Sequence, residues 1–329
     1  MEYIFRYKME IKPKQITWAE IPKDWMVQPK YDGECNKLII KNGKANLQRF
    51  EGRNKTEFYP EIIKYANANF LPRNSSNPNY VSYKKYNISD MVLVGEVCVL
   101  LDQYKASFPH IQLRMNTQNK VKQKLAMKDK LATFVAFDIE EYKGENLDKK
   151  PYKERYKILE DVLPVLDDKA SYKWTELDFR YKDPYDLDNA FRIVAVANLK
   201  PQKDWKEFVK KHEMEGIVVK NPERAAEQVK LKNWDEDDFK IIDTELTQEG
   251  KDRGWFISKL KLEDVKGKHV DKGMTFDCKY INYPQTEEAK EKVIGMTAII
   301  KYMKMRGRDG HYLAPRHPSL VEILELGKP

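Results

Sequence analysis

The sequence predicts an α+β protein built in two parts. A larger domain of antiparallel sheets and helices is expected over residues 1–237, and a smaller β-barrel over residues 238–329. Three observations carry this expectation. The chain has 329 residues, 41% of them hydrophobic, which exceeds one small module and suits one large and one smaller core. Period-2 apolar runs alternate with helical stretches ahead of residue 235. Beyond it the pattern turns to strand alone: Phe239–Glu245, Trp255–Leu262, Thr275–Ile281 and Met296–Met303 follow one another with turn signals between them.

The elements follow in order. Residues 1–29 form a lead-in punctuated by Pro13, Pro22 and Pro29. Lys37–Ile40, Val92–Leu101, Phe134–Ile139 and Ile217–Val219 read as strands. Tyr152–Val162 and Asp204–His212 read as helices, the second entered after Pro201. Pro72–Asn79 is a loop by composition, and the acidic cluster Asp235-Glu-Asp-Asp238 reads as a linker.

Composition narrows the function classes. Sixty Lys+Arg against 52 Asp+Glu give a formal charge of +8, a moderate basic bias compatible with a polyanionic partner. The longest apolar run, Met91–Leu101, contains Gly95 and Glu96, so no segment is suited to span a bilayer. The first residues lack the apolar core of a secretory signal. Three scattered cysteines, Cys35, Cys98 and Cys278, form no CxxC pair and exclude a disulfide framework or a structural zinc site. A cytoplasmic protein is expected.

The chemistry starts at Lys30-Tyr-Asp-Gly33, which follows a proline and precedes an apolar alternating run. A lysine serves as a nucleophile when desolvation or neighbouring cations favour its neutral amine. Lys230 and Lys232 lie two apart, on one face of a strand, and Lys220 closes Glu215-Gly-Ile-Val-Val-Lys220. Such cations also neutralise a triphosphate. Glu96 and Glu215 offer carboxylates for a sugar hydroxyl and for Mg²⁺, a hard cation that prefers oxygen ligands.

The ordered set QPKYDGE (28–34), QRFEGRNKTEFYPEI (48–62), LVGEV (93–97), FVAFDIEEYKGE (134–145), EGIVVK (215–220) and QVKLKNW (228–234) resembles the nucleotidyltransferase motifs of ATP-dependent polynucleotide ligases and mRNA capping enzymes. Within that superfamily the chain is most similar to small viral and bacteriophage ATP-dependent DNA ligases. Phe137-Asp-Ile-Glu-Glu-Tyr-Lys-Gly with Pro151-Tyr-Lys-Glu-Arg-Tyr, Arg49 with Phe58-Tyr-Pro-Glu-Ile62, and Arg308-Asp-Gly310 with Leu313-Ala-Pro-Arg-His-Pro-Ser319 carry that likeness. The resemblance implies a nucleotidyltransferase domain of ATP-grasp-like ligase type followed by an OB-fold barrel. It implies Lys30 as the adenylated nucleophile, Asp32 orienting the reacting groups, Glu96 and Arg49 at the ribose, Phe137 on the adenine and Gln28 at its edge. Tyr31 and Gly33 fall in the same cofactor-binding motif. Glu215, with Glu96, would serve the metal, and Lys220, Lys230 and Lys232 the phosphates. Arg53 competes with Arg49 for one role. Cys35 stands where related ligases carry an arginine, whose duty would move to Lys37 or Arg53. Orientation of the pyrophosphate would fall to Lys301, Lys304 or Arg306.

Two basic segments, Arg114–Lys130 and Lys301–Arg316, are the expected duplex-binding surfaces, since sequence-independent binding rests on phosphate contacts. Arg114, Lys120, Lys122, Lys124, Lys301, Lys304, Arg306, Arg308 and Arg316 are the residues concerned. His311 and His317 read as ordinary barrel residues. The resemblance favours ATP over NAD⁺, because NAD⁺-using ligases carry an extra N-terminal domain and a four-cysteine zinc module. The expectation is a monomeric ATP-dependent DNA ligase, with Mg²⁺ (or Mn²⁺), that seals nicked duplex DNA in replication, repair and recombination. An RNA ligase and an mRNA guanylyltransferase are the alternatives.

Overall fold

In the computed structural model, residues 16–42, 44–70, 90–116, 131–166, 192–247, 257–263, 275–281, 292–303 and 315–324 are described. They fall into two compact units, Met1–Lys232 and Asn233–Pro329. The first unit contains β1 (Met26–Pro29), β2 (Glu34–Lys41), β3 (Lys44–Gln48), α1 (Pro60–Phe70), β4 (Met91–Cys98), α2 (Phe108–Asn116) and β5 (Thr133–Tyr142). It continues with β6 (Glu145–Asn146), α3 (Tyr152–Val162), β7 (Val165–Leu166), β8 (Ile193–Val196), α4 (Trp205–Lys211), β9 (Gly216–Lys220) and β10 (Gln228–Lys232).

Two sheets organise this unit. One runs β3-β2-β4-β5-β8-β7, with β6 beside β5; the other is the three-stranded β1-β9-β10. The large sheet is mixed, not wholly antiparallel as expected, because β8 pairs in parallel with both β5 and β7. Leu38, Ile40, Leu93, Phe134, Ile139 and Ile193 are almost wholly excluded from water, and α3 adds Tyr156 and Leu159 to the same core. A separate core of Val27, Ile217, Val219, Trp205 and Val209 lies against the small sheet.

The helical reading holds at α3, whose bounds are as expected. The second expected helix is α4, with Asp204 as its cap, accepting from Glu207 N at 2.9 Å, and His212 closing it. β4 stops at Cys98, short of the expected Leu101, because Leu100 bridges to Ala106 in a tight return. No helix among the described residues is long and apolar enough to cross a membrane. The expected loop Pro72–Asn79 lies outside the described residues.

The second unit is one antiparallel sheet in the order β13-β12-β11-β14-β15: Thr275–Ile281, Ile257–Glu263, Asp235–Thr247, Thr297–Met303 and Arg316–Leu324. Phe239, Ile241, Cys278, Val293, Ala298, Ile300 and Tyr302 form its core. Asp235–Asp238 is therefore no linker but the start of β11. Antiparallel pairing with β14 sets Glu236 opposite Lys301, an opposite-charge pair that makes an acidic strand start tolerable. The edge strands β13 and β15 approach within 8 Å between Cα atoms, but no ladder joins them among the described residues.

Candidate active site

Register alone assembles one wall of the site. In the small sheet, Met26 faces Lys220 and Gln28 faces Val218 on β9, while Gln228, Lys230 and Lys232 on β10 face Lys220, Val218 and Gly216. Opposed residues share a face, so Gln28, Lys220, Lys230 and Lys232 stand on one side and Val27, Ile217, Val219 and Leu231 pack on the other. Lys30 extends β1 by a residue, its backbone N–H donating to Gly216 O at 3.0 Å. Gly216 is required there, since a Cβ would lie 2.2 Å from Leu231 O. The Lys30 ammonium then meets Glu215, with Nζ 2.6 Å from Oε1 and both side chains largely buried.

The large sheet supplies the facing wall. Cys35 on β2 is opposite Glu96 on β4. A Cβ on Gly33 would lie 2.3 Å from Val97 O, so only glycine lets the turn after Lys30 close on β4. Burial pushes the Glu96 carboxyl up to about 8; Lys30 and Lys230 oppose this, while Glu215 and Asp32 reinforce it. The Cys35 thiol is also pushed up, by burial and by Glu96, against the pull of Lys230, Lys30 and Lys220. These mutual effects show that the two walls share one field.

At the far end of β9, Lys220 is buried. Its Nζ donates to Phe137 O at 2.8 Å and lies 4.0 Å from the centre of the Tyr152 ring. Desolvation lowers it to about 7, with Asp138 opposing and Arg155 and Lys230 reinforcing. The Phe137 carbonyl is available because the β4–β5 register slips between Val94/Asp138 and Gly95/Ala136, leaving Phe137 as the extra residue of a bulge. Tyr152 Oη also donates to that carbonyl, at 2.6 Å, and accepts from Gln28 Nε2 at 2.8 Å. Arg155 holds Asp138 through two bonds of 2.8 and 2.9 Å, which clamps α3 onto the bulge.

Arg49 is anchored and Arg53 is exposed. Arg49 Nε lies 3.2 Å from Glu34 Oε1, a buried carboxylate that also meets Lys55 Nζ at 2.8 Å and the Tyr59 hydroxyl at 2.7 Å. Lys37 is committed to the interior, 2.7 Å from Glu140 Oε2. Among the described residues no group of three or more His, Cys, Asp or Glu side chains is placed to hold a metal. Glu215 and Glu96 are the two carboxylates that influence one another beside Lys30, and their oxygens are of the hard type that a divalent cation such as Mg²⁺ takes.

Two expectations need correction. Tyr31 is out of phase with Lys30 and Asp32; its ring is buried in the large core and its hydroxyl donates to Gln103 O. Arg114 is wholly buried, paired with Glu61 at 2.6 Å and donating to Phe58 O at 2.7 Å, so it is an interior strut and not a DNA contact. Lys301 is half-buried with Nζ 5.6 Å from the Trp234 ring centre, and Arg316 is half-buried on β15. Lys120, Lys122, Lys124, Lys304, Arg306, Arg308 and His311 lie outside the described residues. Sequence reasoning gave no role to Tyr152, Asp138, Arg155 or Glu34, although all four stand in the motifs that carry the resemblance.

A lysine amine held by a carboxylate, on a face lined with further lysines and opposed by a protonatable glutamate, has the chemistry that group transfer from a polyphosphate calls for. Residues 9–237 match the family model described as ATP dependent DNA ligase domain, and the chain belongs to that family. The bifunctional non-homologous end joining protein LigD of Bacillus subtilis (strain 168) is 25% identical over 231 residues, covering 68% of this chain and 34% of LigD. This chain thus spans about a third of that relative's length. Among solved structures, Pmar-Lig_Pre aligns at a TM-score of 0.54 and 17% identity over 91% of this chain and 63% of its own, a likeness of fold. A mycobacterial DNA ligase D complexed with ATP and MES aligns at a TM-score of 0.44 and 18% identity, over 92% of this chain and 90% of its own.

Proposed function

We propose that this chain is an ATP-dependent DNA ligase that seals a 3′-hydroxyl to a 5′-phosphate in nicked duplex DNA. The observation that carries the reading is the Lys30–Glu215 contact of 2.6 Å on the face shared with Gln28, Lys220, Lys230 and Lys232. In the first step Lys30 Nζ bonds to the α-phosphorus of ATP, and the α–β bridging oxygen leaves with its electron pair as pyrophosphate. Glu215 Oε1 is placed to receive the amine's proton. Lys230 and Lys232 balance the charge gathering on the phosphates. Glu96, opposite Cys35, serves the ribose, Phe137 lies against the base, and Asp32 orients the reacting groups. Arg49, braced by Glu34, is the better-held of the two candidate arginines. Glu215 and Glu96 would hold Mg²⁺, which supplies charge neutralisation at phosphate oxygens when bound. AMP then passes to the 5′-phosphate, and the 3′-hydroxyl displaces it to close the nick.

The adenylation domain runs to residue 237 in this reading, as the family match does. The second unit is an OB-fold that grips duplex phosphates and acts with the first as a monomer. Its five antiparallel strands, its converging edges β13 and β15, and Lys301 and Arg316 on β14 and β15 support this.

The test is incubation with Mg²⁺ and α-labelled ATP or GTP, followed by nicked DNA or nicked RNA. An acid-stable lysyl-AMP at Lys30 that discharges onto nicked DNA is expected. Preferential labelling by GTP would overturn the ligase reading in favour of a guanylyltransferase.

A further inference from the structure

We propose that Tyr152 sets nucleobase selectivity by fixing which end of the Gln28 amide faces the pocket; this rests on the nucleotidyl-transfer reading above. The argument is one of hydrogen-bond polarity. Tyr152 Oη lies 2.6 Å from Phe137 O. Two oxygens that close need a hydrogen between them, and a carbonyl can only accept, so the phenol's single proton is committed there. Toward Gln28 the phenol oxygen can then only accept. The amide must offer Nε2, as it does at 2.8 Å. Its other end, Oε1, is buried in a residue only 1% exposed and has no hydrogen-bond partner among the described residues.

The surroundings hold this polarity in place. The Phe137 carbonyl is presented by the bulge in β5 and also accepts from Lys220 Nζ at 2.8 Å, so both its lone pairs are used. Tyr152 opens α3, with its backbone N–H donating to Arg224 O at 3.3 Å, and Arg155 on the same helix grips Asp138, the residue after Phe137. Neither the ring nor the carbonyl can turn away without breaking that clamp.

A buried acceptor with no partner among the described residues selects a base that brings a donor. An exocyclic amine, as on adenine, satisfies Gln28 Oε1. A ring carbonyl in the same place, as on guanine or hypoxanthine, sets two acceptors against each other, which costs on the order of 10–100-fold in affinity. Tyr152 is a positioning residue in this scheme: it never touches the base, and acts through Gln28.

The experiment measures equilibrium binding and labelled-adduct formation by the full chain with ATP, ITP and purine riboside triphosphate, which lacks the amine. The unmodified chain should favour ATP over both by on the order of 10–100-fold. In Tyr152→Phe the amide is released to rotate, and the ATP/ITP ratio should fall to within about threefold of one, chiefly through better ITP binding. A purely structural role for Tyr152 would weaken both nucleotides alike and leave the ratio standing, which overturns the proposal. Gln28→Met reads the same point without disturbing α3: its ratio should also collapse, and a preserved ratio overturns the proposal. Adducts with every triphosphate at equal efficiency in the unmodified chain sink the proposal and leave the functional reading intact. No adduct with any triphosphate sinks the functional reading, and the proposal with it.

Discussion

Lys220 gives a quantitative handle on how the pocket meets its substrate. Its ammonium, depressed to about 7 by burial, is faced by Asp138, which favours the charge, and by Arg155 and Lys230, which oppose it. At pH 8 such a group is roughly one-tenth protonated. A triphosphate bound on this face restores the charged form, so binding should take up about 0.9 proton at Lys220. Glu96, raised to about 8, is roughly half protonated at that pH and gains up to about 0.5 more beside the same anion. The assay is titration calorimetry with α,β-methylene ATP at pH 8 in HEPES, Tris and Tricine, with EDTA present and no Mg²⁺ so that Glu96 is free to protonate, where the slope of heat against buffer ionisation enthalpy reads protons taken up. Uptake should be about 1.4 protons for the unmodified chain and about 0.5 for Lys220→Met. The linked effect on folding has a definite sign. The folded pKa lies below the ordinary 10.5, so the group costs stability on the order of 5 kcal/mol below pH 7, and that cost fades as pH rises to 10.5. Equal uptake by Lys220→Met and the unmodified chain would refute the reasoning and leave Lys220 as a brace for the Phe137 bulge alone.

Two other predictions address the nucleophile and the frame around it. Lys30→Ala should abolish adduct formation and sealing with ATP yet retain measurable closure of a pre-adenylylated nick, whereas Glu215→Ala should impair both; gel assays on the two substrates check this, and ATP-driven sealing by Lys30→Ala would remove the covalent role. Arg155→Met strands a buried Asp138 carboxylate and should lower stability by about 3–5 kcal/mol in denaturant titrations, with Asp138→Asn in the same chain recovering part of the loss.

Much of the site is legible in the sequence because a strand's two-residue period is a geometric fact. Gln28 and the three later lysines needed only the correct phase to fall on one face, and register did the rest, while Glu215, just before β9 and out of that phase, is placed by its contact with Lys30. The same period argues against Tyr31, which alternates with Lys30 and Asp32 and turns to the core. What composition hides is burial by distant partners. Arg114 sits in a basic stretch, yet its partner Glu61 is 53 residues away, and no local pattern announces that pairing. Asp235–Asp238 has the composition of a solvated linker, but Lys301, across the ladder, makes it a strand. Tyr152 could be found only from its motif, because its role depends on a bulge that no periodicity encodes.

Register also orders the lysines along β9, and under the proposed function that order can be tested against the nucleotide. Lys232 is opposite Gly216, at the end of β9 where Lys30 and Glu215 meet; Lys230 is opposite Val218, and Lys220 closes the other end beside the Phe137 carbonyl. Successive steps of two residues along a strand span about 6.6 Å, so Lys220 lies two steps along β9 from Gly216, the level at which the Lys30 backbone is bonded and Lys232 is paired. Charge that develops at the α-phosphorus is therefore felt most by Lys232 and Lys230, while Lys220 acts on the bound nucleotide as a whole. At saturating ATP, Lys232→Ala and Lys230→Ala should lower the rate of adduct formation by roughly 10²-fold. Lys220→Met should act mainly by raising the ATP concentration needed, with the saturated rate reduced less than about tenfold. Single-turnover labelling across a range of ATP concentrations separates the two. A Lys220→Met chain with unchanged ATP dependence and a collapsed saturated rate would mean that the α-phosphate sits at the Phe137 end, and that the direction assigned to the nucleotide along β9 is reversed.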